Sequence, residues 1–257
     1  MADLNRVKQR YQVGLPSFGT YVTLPTPAVV EVAALAGLDF VRLDAYHVAY
    51  NPETLENMIR AAYAHGITPW VRCRNDPWVI MTTLDSGAQA LTIPNVGTVD
   101  VARAAVGAIY YPPRGEREFA RPLRYRALSN ADYLEWANTQ LILSCQIEGR
   151  DGLENYREIV RVEGIDCIQT GRGDISLALG LPGEELHPKV LEAEKRVVLA
   201  ALEAGKEVSL LHSLTPDGIE RTLRWIEQGV RILTVDSDSR VLLREYAAGL
   251  EQLRRKE

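Results

Sequence analysis

"HGITPWVRC", residues 65–73, reads as a helix end, a short loop and a buried strand. His65 is a polar residue in a last helical turn, and Gly66 stops the helix there. The apolar, β-branched and aromatic run that follows suits a strand. The same arrangement returns in "EAGKEVSLL", residues 203–211, and in "EQGVRILTV", residues 227–235. A helix that ends at Gly and feeds a strand, repeated along the chain, marks βα alternation.

Working outward from these three stretches, the chain offers eight strand candidates. They are Phe18–Thr23, Phe40–Leu43, Thr68–Cys73, Ala90–Ile93, Leu141–Ile147, Cys167–Gln169, Glu207–Leu211 and Ile232–Val235. Helix starts lie between them. Thr26-Pro27, Asn51-Pro52 and Thr215-Pro216 each place a capping residue before a Pro at the first helical position. Eight strands, most followed by a helix, favour a single (β/α)8 barrel of the TIM type over a doubly wound sheet. No G-x-G-x-x-G follows the first strand. The glycines of "TGRGDIS", residues 170–176, fit neither that fingerprint nor a phosphate-binding loop. There is no linker or low-complexity run, so residues 1–257 read as one domain. Residues 110–138, rich in Arg and Pro, read as a long loop or short helices and suit an oligomer contact.

Composition narrows the functional classes. The 257 residues are 46% hydrophobic and carry a net charge of -5 with both signs mixed. No basic block points to nucleic acid or an anionic membrane. No apolar run reaches the roughly 20 residues that span a bilayer. The polar start "MADLNRVKQRYQ" has no signal-peptide core, so a cytoplasmic protein is expected. Cys73, Cys145 and Cys167 sit in apolar runs at no zinc-like spacing and read as reduced core residues.

In a barrel of this type chemistry sits at the C-terminal ends of strands, so the polar residues there matter most. Asp44 and His47 follow the second strand, and Arg72 ends the third. Gln146 and Glu148 end the fifth, and "TGRGD" follows the sixth. His212 ends the seventh, and Asp236 and Asp238 follow the eighth. Glu148 and Asp174 are acids on adjacent strand ends. They suit a hard divalent cation, or an ion pair of Glu148 with Arg72 or Arg172 and a helix cap by Asp174. Arg72 suits an oxyanion or a substrate carboxylate, or a structural bridge to a neighbouring acid. Asp44 and His47 suit either proton transfer or ordinary loop chemistry. His65 reads as structural, His187 as a solvated loop residue, and His212 as a residue beside the site.

"VRLDAYH" (41–47), "PWVRC" (69–73), "LDSGAQALTIPNV" (84–96), "YYPPRGER" (110–117), "CQIEG" (145–149) and "IQTGRGDISLALG" (168–180) come in an order and spacing that resembles the HpcH/HpaI aldolase family. These are metal-dependent class II pyruvate aldolases related to 4-hydroxy-2-oxoheptanedioate and 2-dehydro-3-deoxyglucarate aldolases. The resemblance runs from about residue 15 to about residue 181 and weakens beyond. It implies a barrel of the phosphoenolpyruvate/pyruvate-binding type and a homo-oligomer, hexamer or trimer. The terminal helix, residues 238–257, would be exchanged between subunits. Glu148 and Asp174 would hold Mg²⁺, Mn²⁺ or Co²⁺. Gln146, Gly171 and Gly173 would hold the pyruvyl group, and Arg72 would stabilise the enolate oxygen. His47, oriented by Asp44, would move the proton.

The implied reaction is reversible cleavage of a 4-hydroxy-2-oxo acid to pyruvate and an aldehyde through a metal-bound pyruvate enolate. Oxaloacetate decarboxylation, a related carbon–carbon-forming synthase and an acyl-CoA lyase are the alternatives. The chain departs from the family at Tyr46, where an acid is usual, and at Arg42, where strand residues are usually apolar. "EFAR" after "GER", and the ending "LTVDSDSR", also differ. These departures leave Glu148, Asp174 and Arg72 in place and bear on the aldehyde side and the oligomer contacts.

Overall fold

The computed structural model describes residues 4–255; residues 1–3 and the last two of the expected terminal helix lie outside it. The eight strands are β1 (Ser17–Val22), β2 (Phe40–Asp44), β3 (Thr68–Arg72), β4 (Ala90–Ile93), β5 (Ile142–Gln146), β6 (Cys167–Gln169), β7 (Glu207–His212) and β8 (Ile232–Ser237). They close in chain order into a parallel barrel, β8 pairing with β1. The fold is therefore the (β/α)8 barrel that the alternation implies.

The register explains why the strands read as continuous apolar runs. Successive side chains point to opposite faces. Val41, Leu43, Val71, Leu91, Ile93, Leu143, Cys145, Ile168 and Val208 join the large core shared with the helices. Phe40, Trp70, Ala90, Ile142, Cys167 and Ile232 instead cluster inside the barrel around Val7. Val7 belongs to α1 (Arg6–Gln12), which stoppers the N-terminal end. Asn5 caps α1 through Val7 and Lys8 and donates to the Gln89 carbonyl. Lys8 Nζ donates to the Leu141 carbonyl at 2.9 Å and to Asp166 at 3.3 Å.

The helices lie outside the sheet. Those leading to the site are α2 (Pro27–Leu35), α3 (Pro52–Ala64), α4 (Pro77–Asp85), α5 (Val99–Ile109), α6 (Asn130–Gln140) and α7 (Arg150–Ile159). Next come α8 (Arg172–Ala178), α9 (Pro188–Glu203), α10 (Pro216–Glu227) and α11 (Asp238–Arg254). Asn51 and Thr215 cap α3 and α10 with side-chain bonds. Thr26 occupies the cap position of α2 without a side-chain bond. Gly66 stops α3 with φ +67°, a left-handed conformation that glycine adopts without a Cβ clash.

The Arg-rich stretch between the fourth and fifth units is packed rather than loose. A 3₁₀ turn at Leu123–Tyr125 and α6 bring Tyr111, Tyr125, Tyr133 and Trp136 into one aromatic cluster. Arg117 pairs with Asp85 at 2.7 Å, and Arg114 with Asp166 at 3.2 Å. Both guanidinia thus tie this stretch to the barrel and stay away from the strand C-termini. No described helix is long and apolar enough to cross a membrane.

Candidate active site

Pairing of β2 with β3 sets Asp44 opposite Arg72 at the C-terminal end of the barrel. Arg72 Nε donates to Asp44 Oδ1 at 2.9 Å, and Nη2 to Oδ2 at 2.6 Å. This two-bonded fork is the geometry in which Arg recognises a carboxylate best. Burial alone would lower the Arg72 pKa, but Asp44, Tyr21 and Glu148 together raise it, so the cation is secure. Asp44 Oδ1 also accepts the backbone amides of Tyr46 and His47, each at 3.3 Å. The expected Asp44–His47 partnership therefore runs through the backbone and not through the imidazole. The reason is positional: Asp44 points inward toward Arg72, while His47 lies on the turn above it. The His47 ring packs edge-on against Tyr46, centroids 4.8 Å apart. Tyr46, the residue where an acid is usual, also takes a hydrogen bond from Asn95 at 3.4 Å.

Beside this pair, β5 delivers Gln146 and Glu148. Gln146 Nε2 donates to Glu148 Oε2 at 2.6 Å, and Gln146 Oε1 is buried with no partner among the described residues. Glu148 is buried, and its pKa is pushed up to about 8, first by desolvation and then by the charge of Asp174, against the opposing pull of Arg72. Asp174 lies in the first turn of α8, whose cap position belongs to Gly171. A Cβ on Gly171 would stand 2.2 Å from Glu148 Oε2 and 3.0 Å from Gln146 Nε2, so any side chain here would displace those two groups. Gly173 is different: a Cβ there would meet only Glu185, at 3.7 Å.

The ion-pair alternatives for Glu148 are not realised, because Arg72 pairs with Asp44 and Arg172 with Glu194. Two neighbouring carboxylates, Glu148 buried and Asp174 beside it, form a donor set that fits a hard divalent cation. The unpartnered Gln146 oxygen adds a neutral donor beside them. No cluster of three or more His, Cys, Asp or Glu side chains suited to a metal occurs among the described residues. A cation here would therefore keep positions for water and substrate oxygens.

These groups share one cavity of about 410 Å³, also lined by His47, Tyr21 and Gln169. Two features of its surroundings are harder to see in the sequence. Arg42 lies wholly buried inside the barrel, directly below. It donates to Gln169 Oε1 at 2.6 Å and to Ser209 Oγ at 3.0 Å, and its Cζ stands 4.3 Å from the Trp70 ring centroid. The cation is thus held by amide, hydroxyl and aromatic faces, a cation–π arrangement that compensates in part for lost water. The second feature is a polar wall made by Arg172, Glu194, His212 and Arg221. Glu194 follows the apolar face of α9, with Val190, Val197 and Val198. An acid at an apolar-face position was the available signal for it.

Other strand-end residues are structural. Asp238 accepts the amides of Thr23 and Leu24 and so joins α11 to β1. Asp236 pairs with Arg244 at 2.6 Å. His187 caps α9 by accepting the Lys189 amide at 3.2 Å, a role beyond that of a solvated loop residue.

A family model described as HpcH/HpaI aldolase/citrate lyase matches residues 17–243, so the likeness continues through the C-terminal third. The chain is 33% identical over 249 residues to the 4-hydroxy-2-oxo-heptane-1,7-dioate aldolase of Shigella sonnei, covering 95% of this chain and 93% of that one. It is 38% identical over 193 residues to the hydroxypyruvate/pyruvate aldolase of Sagittula stellata, covering 74% and 76%. Among solved structures, the citrate synthase SbnG superposes with a TM-score of 0.89 at 30% identity, covering 97% of both chains.

Proposed function

Because the chain belongs to the HpcH/HpaI aldolase/citrate lyase family, we propose that it is a divalent-metal-dependent aldolase that reversibly cleaves a 4-hydroxy-2-oxo acid to pyruvate and an aldehyde. Relatives named as aldolases make it an enzyme, a carbon–carbon lyase. The observation that carries the rest is the meeting of Glu148, Asp174, Gln146 and the Asp44–Arg72 pair in one cavity at the barrel mouth.

Glu148 and Asp174 would hold the cation, which supplies electron withdrawal at the keto oxygen when bound. Gln146 and the backbone at Gly171 would seat the pyruvyl group, with Gly173 leaving room beside them. Asp44 occupies Nε and Nη2 of Arg72 and so aims the guanidinium. Arg72 Nη1, outside that pair, would face the oxygen on which enolate charge develops. His47 at the cavity mouth would take the proton from the 4-hydroxyl. The C3–C4 bond then breaks with its electron pair going to C3, the aldehyde departs, and C3 is protonated to give pyruvate.

A second reading rests on the citrate synthase superposition. The same enolate could arise from oxaloacetate by loss of CO₂ and be protonated, or add to a carbon electrophile as in a carbon–carbon-forming synthase; an acyl-CoA lyase would form the corresponding enolate of an acyl-CoA. Pyruvate release from 4-hydroxy-2-oxo acids, measured beside decarboxylation of oxaloacetate, separates the readings. A higher kcat/KM for the hydroxy-oxo acids supports the aldolase; turnover of oxaloacetate alone sinks it.

We also propose a homo-oligomer, trimer or hexamer, with the terminal helix exchanged between subunits. α11 turns Leu242, Leu243, Tyr246, Leu250 and Leu253 outward, a stripe of exposed apolar side chains that a neighbouring subunit would cover.

A further inference from the structure

Inside the barrel, Tyr21, Arg42, Trp70, Thr92 and Gln169 join in one hydrogen-bonded chain, and two of its members can only donate. Trp70 Nε1 donates to Thr92 Oγ1 at 2.8 Å, and Thr92 Oγ1 donates to Gln169 Oε1 at 3.3 Å. Arg42 Nη1 donates to the same oxygen at 2.6 Å. An indole N–H and a guanidinium have no lone pair to offer, so the Gln169 atom that faces Arg42 is its oxygen. That fixes the other end of the amide: Gln169 Nε2 donates to Tyr21 Oη at 2.9 Å. Tyr21 therefore accepts in this chain and keeps its own proton for another partner. Tyr21 and Gln169 both line the cavity that holds Glu148 and Arg72, and that proton has no acceptor among the described residues.

Charge says what that acceptor is. Arg42 is wholly buried, and the side chains that hydrogen-bond it, Gln169 and Ser209, are both neutral. Its Nε is buried with no partner among the described residues. Its Cζ lies 5.3 Å from the Tyr21 ring centroid, and the Arg72 Cζ lies 5.1 Å from the same centroid. Buried charges are usually paired with an opposite charge. A cation held only by neutral groups is stabilised when negative charge develops nearby, and the cavity that Tyr21 lines is where this can happen. Pyruvate carries one negative charge and its enolate two, so the gain is larger for the enolate.

We infer that the Tyr21 hydroxyl donates a hydrogen bond to the pyruvyl oxygen on which enolate charge develops, as a second donor beside Arg72. Gln169 and Arg42 are positioning residues: Arg42 fixes the Gln169 amide, and the amide turns the Tyr21 proton toward the cavity. No proton is transferred along this chain; it sets direction and charge. This inference rests on the aldolase reading and adds to it an oxyanion donor that comes from β1.

The test removes the proton in one variant and turns it round in another. Tyr21→Phe keeps the ring between the two guanidinia and deletes only the hydroxyl. With Mn²⁺ present, kcat for deuterium exchange into pyruvate should fall about tenfold or more, with KM for pyruvate little changed. Oxalate, planar and dianionic like the enolate, is the binding probe, and its Kd by calorimetry should rise by about the same factor. A wild-type value of either kcat or the oxalate Kd in Tyr21→Phe overturns the inference, as does a rise in KM at unchanged kcat. Gln169→Glu gives Arg42 a carboxylate and draws the Tyr21 proton away from the cavity. Its Tm should be at least that of the wild type while its exchange rate falls, a split that a merely structural role for Gln169 would not produce. In the double variant the two losses should not multiply, because both act through one hydroxyl. Wild-type exchange in Gln169→Glu, or fully multiplicative losses, overturns the positioning role. In each of these cases wild-type exchange leaves the aldolase reading standing. Absence of exchange in the wild type overturns that reading, and the inference with it.

Discussion

At the ends of β2 and β3, Asp44 and Arg72 close on each other through two short hydrogen bonds. At the end of β7, His212 keeps a buried nitrogen with no partner among the described residues, as Arg172 does at the start of α8. The first region is complete before any ligand arrives; the second is not. The difference suggests a division of labour. On the aldolase reading, the Asp44–Arg72 side would serve one recurring fragment, the pyruvyl group, and would gain from being rigid in advance. The polar wall satisfies its atoms only when a partner of the right chemistry is present, which suits the half of a reaction that varies between relatives.

The sharpest way to break this contrast is Arg72→Ala. If the preorganised pair serves the reaction, kcat should fall by about 10²–10³, the usual cost of losing one oxyanion donor. Arg72→Lys should recover little, because a lysine ammonium cannot reproduce the fork that Asp44 aligns. Turnover near wild type in Arg72→Ala would reduce the pair to a structural bridge.

Gly171→Ala should come next. Its Cβ would stand 2.2 Å from Glu148 Oε2, so the carboxylate must move. Metal affinity should drop by roughly tenfold or more, as when a supporting contact to a ligand is lost. Gly173→Ala is the control within the same loop, since its Cβ meets nothing closer than 3.7 Å. Equal Mn²⁺ affinities for the two variants would contradict the steric account.

The smallest effect concerns stability. The folded protein refuses a proton at His212 until about pH 3, whereas an unfolded histidine takes one near 6.5. Between those values the unfolded chain binds more protons, so stability falls as pH drops through that window. His212→Asn should remove that part of the acid slope, on the order of 1–2 kcal/mol between pH 7 and 5 in denaturant titrations. An unchanged slope would mean that the ring is not held neutral.

The same contrast explains what was legible in the sequence. Asp44, Arg72, Gln146 and Glu148 lie on strands or just beyond them, where a polar residue interrupts an apolar run and its position in the barrel follows from the alternation. Glu194 and Arg221 reach the cavity from helices, and a helical residue's reach depends on how that helix packs. Arg221 gives no sign of itself; Glu194 shows only as an acid on an apolar face. Arg42 was visible as a charge in a strand, but the Trp70 face and the Gln169 and Ser209 side chains that hold it come from three other strands. The Asp44–His47 spacing suggested a side-chain pair. Parallel register instead gave the carboxylate to Arg72 and left His47 only a backbone contact. Local spacing did not contain that choice, because the competing partner was 28 residues away.

The central claim is that Glu148 and Asp174 hold a divalent cation that makes pyruvate's methyl protons exchangeable. The most direct measurement is deuterium incorporation into pyruvate by metal-stripped protein while Mn²⁺ is titrated back. Exchange should be lost with EDTA, rise with Mn²⁺ occupancy to one ion per chain, and stay absent at every concentration in Glu148→Ala. Exchange that persists in the metal-stripped protein, or that Glu148→Ala retains, would contradict the account.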